Sequence, residues 1–281
     1  MRDALERRLT TPPVGSIAEV HEPRARAWLE ETAARPDTLG IILVGSRANG
    51  WGAPDSDYDA FVYVTPERYR GVAVRDTLVW LEAEGEFPAR VVGDFSIFEP
   101  EHLNVHERSP LDIDHWPYAD GIVLHDRTGA LEERRRRIAA FPEEGWKERA
   151  IDKYLILGGA YGYAVKSDVS GLDAQRQLNI FRAVLAGVSL WFTLQRRWAP
   201  PFKWLTPEIE RLEIRPDTRG VLEGAMLNPS IDTLTHLRDH LKTEMKYAGI
   251  AEIASREAIL EAFAATFLPE RAPGVWRNLY L

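Results

Sequence analysis

Cysteine is absent from the 281 residues of this chain. Its absence excludes disulfide bonds, thiolate metal sites and cysteine nucleophiles. Long apolar runs are also lacking: no run approaches the ~18 residues of a membrane span, and none follows the N-terminal MRDALERR. We therefore predict neither a signal peptide nor a membrane span, and we expect a cytoplasmic protein.

Positive charge is outnumbered by negative charge. The 35 Lys and Arg residues against 43 Asp and Glu residues leave a net charge of −8. This balance argues against a large nucleic-acid surface, although a local basic patch remains compatible with it, and it suits a cationic substrate. The P-loop signature is missing too, because no Gly-Lys-Ser/Thr follows the glycines of residues 45–52.

The order of apolar segments predicts an α+β protein of two domains. Strands are expected at 41–46, 57–64, 89–100 and 120–126, with helices at 16–34 and 67–84. Beyond residue 127 the pattern is helical throughout, with helices expected at 143–166, 173–198, 217–227, 231–248 and 255–267. We predict an N-terminal domain, residues 1–127, with a small mixed sheet flanked by helices, and an all-helical domain, residues 128–281.

Two aspartates stand at the head of the second predicted strand. In DYDAFVYV, Asp57 and Asp59 are two residues apart, so their side chains share a face that Phe61 and Tyr63 continue. Their Cα atoms are then roughly 6–7 Å apart. Such carboxylates repel each other unless a cation lies between them, and hard oxygen ligands of this kind suit Mg²⁺ shared with a phosphate.

A third acid repeats this pattern. Asp94 lies inside the apolar segment VVGDFSIF. If its strand lies beside the first, three carboxylates converge and can hold two metal ions for in-line displacement at phosphorus. Each of these acids has an ordinary structural explanation when taken alone, as a loop, turn or strand-edge residue. Their joint occurrence at the ends of β-segments favours a site.

Gly45 and Ser46 end the first predicted strand. Glycine permits close approach of the backbone, and the turn can present N–H groups and the Ser46 hydroxyl to a phosphate tail. Arg47 adds a positive charge, and Gly50 and Gly52 let the loop bend.

The segment GSRANGWGAPDSDYD resembles the Gly-Ser, spacer, Asp-x-Asp signature of the nucleotidyltransferase superfamily, which includes DNA polymerase β. Within it, the chain is most similar to the bacterial aminoglycoside adenylyltransferases and other antibiotic-resistance nucleotidyltransferases. The resemblance covers about residues 41–99. It implies transfer of a nucleoside monophosphate, AMP from ATP, to a hydroxyl of a small acceptor, with two Mg²⁺ ions and release of pyrophosphate.

The resemblance also implies roles for individual residues. Gly45 and Ser46 would hold the triphosphate, and Asp57 and Asp59 would bind metal. Asp94 would be the third metal-binding acid and would accept the proton of the acceptor hydroxyl.

Candidates for acceptor binding lie in the helical domain. Glu148 and Asp152 are four residues apart on one helix, so they share a face and either line a cleft or pair with a neighbouring cation. Lys153 is a candidate for the triphosphate. Trp204, beside the Pro200-Pro201 break, is a candidate for stacking on a base or sugar, with a core or interface role as the alternative.

Two other features have simpler interpretations. The run RRRR at 134–137 is expected to be the solvated face of a helix. The seven histidines show no metal-ligand spacing, and we expect them at the surface, with His102 and His106 in a loop. Two functions stay open beside transfer to a small acceptor. One is modification of tRNA or protein, as in toxin-type nucleotidyltransferases, and the other is non-catalytic nucleotide binding. Homodimerisation through exposed tryptophans also stays open.

Overall fold

The computed structural model describes residues 14–83 and 90–250. Contacts between these residues divide the chain into two compact units between Ala140 and Phe141. We call them the sheet unit and the helical unit. The sheet unit holds a five-stranded sheet with helices, and the described part of the helical unit, residues 141–250, has helices and no strand, which confirms the α+β class. Helix Leu131–Ala139, beyond the predicted division at residue 127, lies in the sheet unit.

Five strands form the sheet in the order β3-β4-β2-β1-β5. They are β1 (Thr38–Val44), β2 (Tyr58–Val64), β3 (Leu78–Glu82), β4 (Val91–Phe98) and β5 (Ile122–Asp126). Strands β2 and β4 run parallel, and the other neighbouring strands run antiparallel. The α-helices of this unit are Pro23–Ala34, Gly45–Asn49, Pro66–Gly71, Glu101–Arg108, Trp116–Ala119 and Leu131–Ala139.

The two faces of β2 have different surroundings. One face is buried in a core with Leu29 of helix Pro23–Ala34, through the residues Tyr58, Ala60, Val62 and Val64. The opposite face carries Phe61 and Tyr63, which pack with Leu103, Tyr118 and Ile138 from the helices of the other layer. This alternation confirms the predicted face, so Asp59 lies on the Phe61 and Tyr63 side.

The predicted helix at 67–84 is wrong beyond its first turn. Helix Pro66–Gly71 is followed by a 3₁₀ turn, Val74–Thr77, and then by the edge strand β3. Burial alternates along LVWLE: Val79 and Leu81 pack into the core, whereas Leu78 and Trp80 are exposed. Pairing with β4 and this period of two outweigh the helical preference of the preceding residues.

Two other predictions in the sheet unit need correction. His102 and His106 lie in helix Glu101–Arg108 and not in a loop, because Pro110 falls after the helix has ended. The histidines are also not all at the surface, since His115 is buried, with its ring nitrogens 2.7 and 2.8 Å from the carbonyl oxygens of Ile138 and Ser109. The predicted helix 16–34 begins only at Pro23, after a 3₁₀ turn.

The arginine run also faces inward in part. Arg135 is held by Glu132 and by the carbonyl oxygen of Tyr118, and Arg134 reaches Asn104 on the neighbouring helix. These contacts tie helix Leu131–Ala139 to the rest of the sheet unit, and the arginine run is not a uniformly solvated face.

The helical unit is built around one long antiparallel pair. Its described helices are Trp146–Val169, Asp173–Leu194, Leu205–Arg211, Pro216–Leu227 and Ile231–Tyr247. Helix Asp173–Leu194 is long and apolar enough to span a membrane by length and composition, yet 56% of its most apolar window is buried inside the protein. Its buried residues belong to the core of the unit, so we interpret it as a core helix. The predicted helix 255–267 lies outside the described residues.

Candidate active site

Strand register brings the acids of β2 and β4 together. Asp59 is the Cα partner of Asp94 on β4 and of Val44 on β1, and Asp94 is in turn the partner of Trp80 on β3. Directly paired residues on neighbouring strands point to the same face of a sheet, with Cβ atoms about 4.5–5.5 Å apart in antiparallel pairs. Trp80, Asp94 and Asp59 therefore form one row across the sheet, which leads to the end of β1.

Asp57 lies directly before β2, two residues upstream of Asp59. All three acids are partly exposed, so a ligand can reach them. Within residues 14–83 and 90–250, no group of three or more His, Asp or Glu side chains is already gathered as a metal site. The backbone thus supplies a pair, Asp59 and Asp94, with Asp57 beside it.

This arrangement fits a magnesium ion that is completed by its substrate. Mg²⁺ commonly takes one or two protein carboxylates and fills its remaining positions with water and substrate phosphates, so a full protein cage is not required. The neighbouring carboxylates of Asp59 and Asp94 meet that requirement.

Gly45 fits against the acid pair. It begins the short helix Gly45–Asn49 at the end of β1, and its φ of +68° lies in the left-handed region that favours glycine. A Cβ atom at this position would overlap Oδ2 of Asp59. The absence of a side chain therefore serves two purposes: it permits the turn, and it leaves room for the Asp59 carboxylate.

Ser46 is held in this same turn. Its carbonyl oxygen accepts hydrogen bonds from Gly50 N and, at 2.9 Å, from Trp51 N. The backbone N–H groups at the start of helix Gly45–Asn49 have no partner within the helix, as at any helix N-terminus. The start of this helix lies close to Asp59, because a Cβ on Gly45 would meet that carboxylate.

Arg47 is buried, with only 6% of its surface exposed. Its guanidinium donates hydrogen bonds to the carbonyl oxygens of Pro54, at 3.1 Å, and Ser56, at 2.8 Å, and lies 4.7 Å from the centre of the Tyr58 ring. These contacts hold the loop that leads into Asp57. Gly52 provides the space, because a Cβ there would come within 2.8 Å of Arg47 Cδ. Nucleotide binding by Arg47 stays a prediction.

A chain of buried hydroxyl groups lies further along the same face. Tyr63 Oη and His106 Nδ1 are each 2.6 Å from Tyr118 Oη. Burial lowers the pKa of His106, opposed by Asp114, and burial raises the pKa of both tyrosines. A neutral His106 accepts a hydrogen bond from Tyr118, so the chain fixes helix Glu101–Arg108 to β2.

The remaining candidates all lie in the helical unit. Glu148 is exposed on helix Trp146–Val169, and Asp152 is half-buried one turn later. Burial raises the pKa of Asp152; Arg149 opposes that shift and Glu148 adds to it. Lys153 Nζ lies 3.5 Å from the carbonyl oxygen of Ser189. Trp204 ends a 3₁₀ turn, with the Lys203 ammonium 5.1 Å from its ring centre. Roles of these residues in acceptor or nucleotide binding stay predictions.

Trp80 is the residue at this row that sequence reasoning missed. The sequence predicts a helix around Trp80, and a residue in a helix would not pair with a strand residue such as Asp94. The sequence signal that could have found it is the short apolar run LVWL, with a β-branched and an aromatic residue, bounded by Thr77 and the Ala-Glu-Gly that follows.

Comparison with known protein families gives two matches along the chain. Residues 27–115 match the family described as nucleotidyltransferase domain, and residues 116–205 match a domain of unknown function, DUF4037. The first match contains the whole Gly-Ser and aspartate motif and confirms the superfamily predicted from it. The second begins within the sheet unit, at helix Trp116–Ala119, and continues into the helical unit.

A solved structure resembles the chain more broadly. It is a nucleotidyltransferase-like protein from Exiguobacterium sibiricum, with 15% sequence identity and a TM-score of 0.46, covering 80% of this chain and 76% of that one. No curated protein sequence matches the chain.

Proposed function

We propose that this chain, whose residues 27–115 belong to the nucleotidyltransferase superfamily, transfers AMP from ATP to a hydroxyl of a small acceptor and releases pyrophosphate. The observation that carries the proposal is the register of Asp59 with Asp94, backed by the turn at Gly45. Simple nucleotide binding does not require two neighbouring carboxylates. Two such groups repel each other unless a cation is shared between them.

In the proposed reaction the acceptor oxygen forms a bond to the α-phosphorus, and the bond from that phosphorus to the pyrophosphate oxygen breaks. Asp94 accepts the proton of the hydroxyl. Asp57, Asp59 and Asp94 would hold magnesium, and the backbone N–H groups at Gly45 and Ser46 would bind the triphosphate. When bound, the metal would neutralise phosphate charge and lower the pKa of the acceptor hydroxyl.

The acceptor we propose is a small, cationic molecule that carries hydroxyl groups. The motif resembles that of antibiotic nucleotidyltransferases, and the net charge of −8 suits a cationic, aminoglycoside-like acceptor in the cytoplasm. Glu148 and Asp152 are the acids we propose for its amino groups. Lys153 is proposed as an additional phosphate contact, and Arg47 as the residue that holds the loop before Asp57.

The first experiment measures pyrophosphate release with Mg²⁺ and each of the four NTPs, against a panel of aminoglycosides, lincosamides and total tRNA. We expect release with ATP and one small acceptor. Release with tRNA alone would move the function to RNA modification, and NTP binding without any release would favour a non-catalytic protein.

The decisive variant is Asp59→Asn. We expect it to lower transfer by at least about 1000-fold, because the change removes a metal-binding carboxylate and leaves the side-chain volume the same. Asp55→Asn is the matched control, since Asp55 is an exposed acid of the preceding loop, and it should keep nearly full activity. Circular dichroism and thermal unfolding check that both variants fold. Full activity of a folded Asp59→Asn variant would exclude the proposed reaction.

A further inference from the structure

Trp80 stands apart from the other tryptophans of this protein. Of those within residues 14–83 and 90–250, Trp80 alone is exposed, with 67% of its surface accessible, whereas Trp51, Trp116, Trp146, Trp191 and Trp198 are buried. An indole ring is among the largest apolar side chains, and its burial stabilises a protein or a complex strongly. An isolated exposed indole on a well-paired strand needs no explanation by itself, but its position here is specific.

That position is fixed by backbone register. Trp80 pairs with Asp94, and the register between β3 and β4 is regular from Leu78 to Leu81. Trp80 therefore lies on the face of the acids, while its neighbours Val79 and Leu81 pack into the opposite core. Counted across the sheet, the order is the turn at Gly45, then Asp59, then Asp94, then Trp80.

This order indicates the side from which the acceptor hydroxyl would approach. In displacement at phosphorus the entering and leaving oxygens lie on opposite sides of the phosphorus atom. If the departing pyrophosphate is held at the Gly45 turn and the α-phosphate at Asp59, the acceptor hydroxyl enters from the Asp94 side. The next side chain along that line is Trp80.

We propose that Trp80 forms the acceptor platform: its exposed indole stacks on the ring of the acceptor that carries the reacting hydroxyl. The ring chemistry that fits is a polyol or amino sugar, whose C–H face packs on an aromatic face and whose ammonium groups are attracted by the ring and by Asp94. This inference rests on the proposed transfer reaction and adds to it the place where the acceptor binds.

The test is steady-state kinetics of pyrophosphate release with MgATP and kanamycin as the probe acceptor, for the wild type, Trp80→Ala, Trp80→Phe and Leu78→Ala. Leu78 is the matched control because it lies two residues away on the same face of β3, is 54% exposed and pairs with Ser96 instead of Asp94. We expect Trp80→Ala to raise the KM for kanamycin about 10- to 100-fold and to leave the KM for MgATP unchanged. Trp80→Phe should recover most of the loss, and Leu78→Ala should behave as wild type.

Each other outcome overturns the platform in a recognisable way. Equal kinetics of Trp80→Ala and Leu78→Ala would remove it and leave the transfer reaction standing. A rise in the KM for MgATP alone would assign the indole to the nucleotide, and a changed oligomeric state with unchanged KM for kanamycin would assign it to an interface between copies. A wild type that binds MgATP and releases no pyrophosphate with any acceptor would remove the proposed function and the platform together.

Discussion

The two units of this protein each carry a pair of neighbouring acids, and the two pairs are positioned by different means. In the sheet unit, Asp59 and Asp94 are held on separate strands by the hydrogen-bond register of β2 with β4. In the helical unit, Glu148 and Asp152 are one turn apart on a single helix, one exposed and one half-buried. Register across a sheet fixes the separation of two carboxylates through the backbone, whereas helical spacing fixes only a shared face.

The residues that surround the two acid pairs also differ. A glycine, a buried arginine and a loop are all arranged around Asp57 and Asp59. The pair in the helical unit is accompanied by Arg149 and by burial of Asp152, which together act on the charge of one carboxyl. The acids of the sheet unit thus lie within a turn and a loop built around them, whereas the charge of the pair in the helical unit is governed by its own helix and by burial.

Gly45→Ala is the substitution with the largest expected effect on the acids of the sheet unit. The new Cβ would overlap Asp59 Oδ2 and force a side chain into a φ of +68°. We expect a loss of roughly 1–2 kcal/mol in the free energy of unfolding from the backbone strain. Displacement of Asp59 should also lower kcat about 100-fold.

The matched control is Gly129→Ala. Gly129 also has a positive φ, +71°, but a Cβ there would meet no atom within 4 Å. It should show a similar loss of stability in urea unfolding and no loss of pyrophosphate release. If both variants keep full activity, the contact between the turn and Asp59 is not functional.

Arg47→Lys tests the loop that leads into Asp57. Lysine keeps the charge but cannot place separate donors on the carbonyl oxygens of Pro54 and Ser56. We expect a lower melting temperature and a kcat reduced about tenfold, with an unchanged KM for MgATP, because a misplaced Asp57 impairs the reaction more than the binding.

Arg90→Lys provides the comparison for this prediction, since Arg90 reaches the same loop at the carbonyl oxygen of Asp55 with a longer contact of 3.4 Å. It should change little. A large rise in the KM for MgATP in Arg47→Lys would instead support the direct nucleotide contact predicted from the sequence.

The sequence predicts the features that depend on neighbouring residues and misses those that depend on tertiary contacts. The acids and the Gly-Ser turn are local signals: Asp57 and Asp59 share a face by strand alternation alone, and their motif identifies the superfamily. The pairing of Asp59 with Asp94 depends on whether β2 and β4 are neighbours in the sheet. The sequence predicts that the acids converge only if these strands are neighbours. Contacts such as Gly45 with Asp59 depend on tertiary packing and carry no sequence pattern.

Two errors show the same limit. The edge strand β3 was predicted as helix because its apolar residues follow a helical start at Pro66 without a strong break. The arginines at 134 and 135 were expected in solvent because their run is charged, yet Arg134 reaches Asn104 and Arg135 reaches a carbonyl oxygen of Tyr118. In both cases the deciding partner lies far away or on another element, where composition gives no information.

Asp152→Asn tests the acid pair in the helical unit and has the smallest expected effect. Because burial raises the pKa of Asp152 in the folded state, its carboxyl contributes most to stability below the unfolded pKa, and that contribution is lost as pH rises through the folded pKa. Asparagine does not ionise and avoids this loss. We expect the variant to melt a few degrees higher than wild type at pH 7, with a difference that shrinks toward pH 4.

Glu148→Gln should move stability in the same direction by less, since it removes only the neighbouring negative charge that adds to the shift. Thermal unfolding from pH 4 to pH 7.5 measures both variants. A lower melting temperature of Asp152→Asn at pH 7 would mean that the ionised carboxylate is stabilised by Arg149 more than it is penalised by burial. An unchanged stability with a raised KM for the acceptor would support the proposed contact of Asp152 with an amino group of the acceptor.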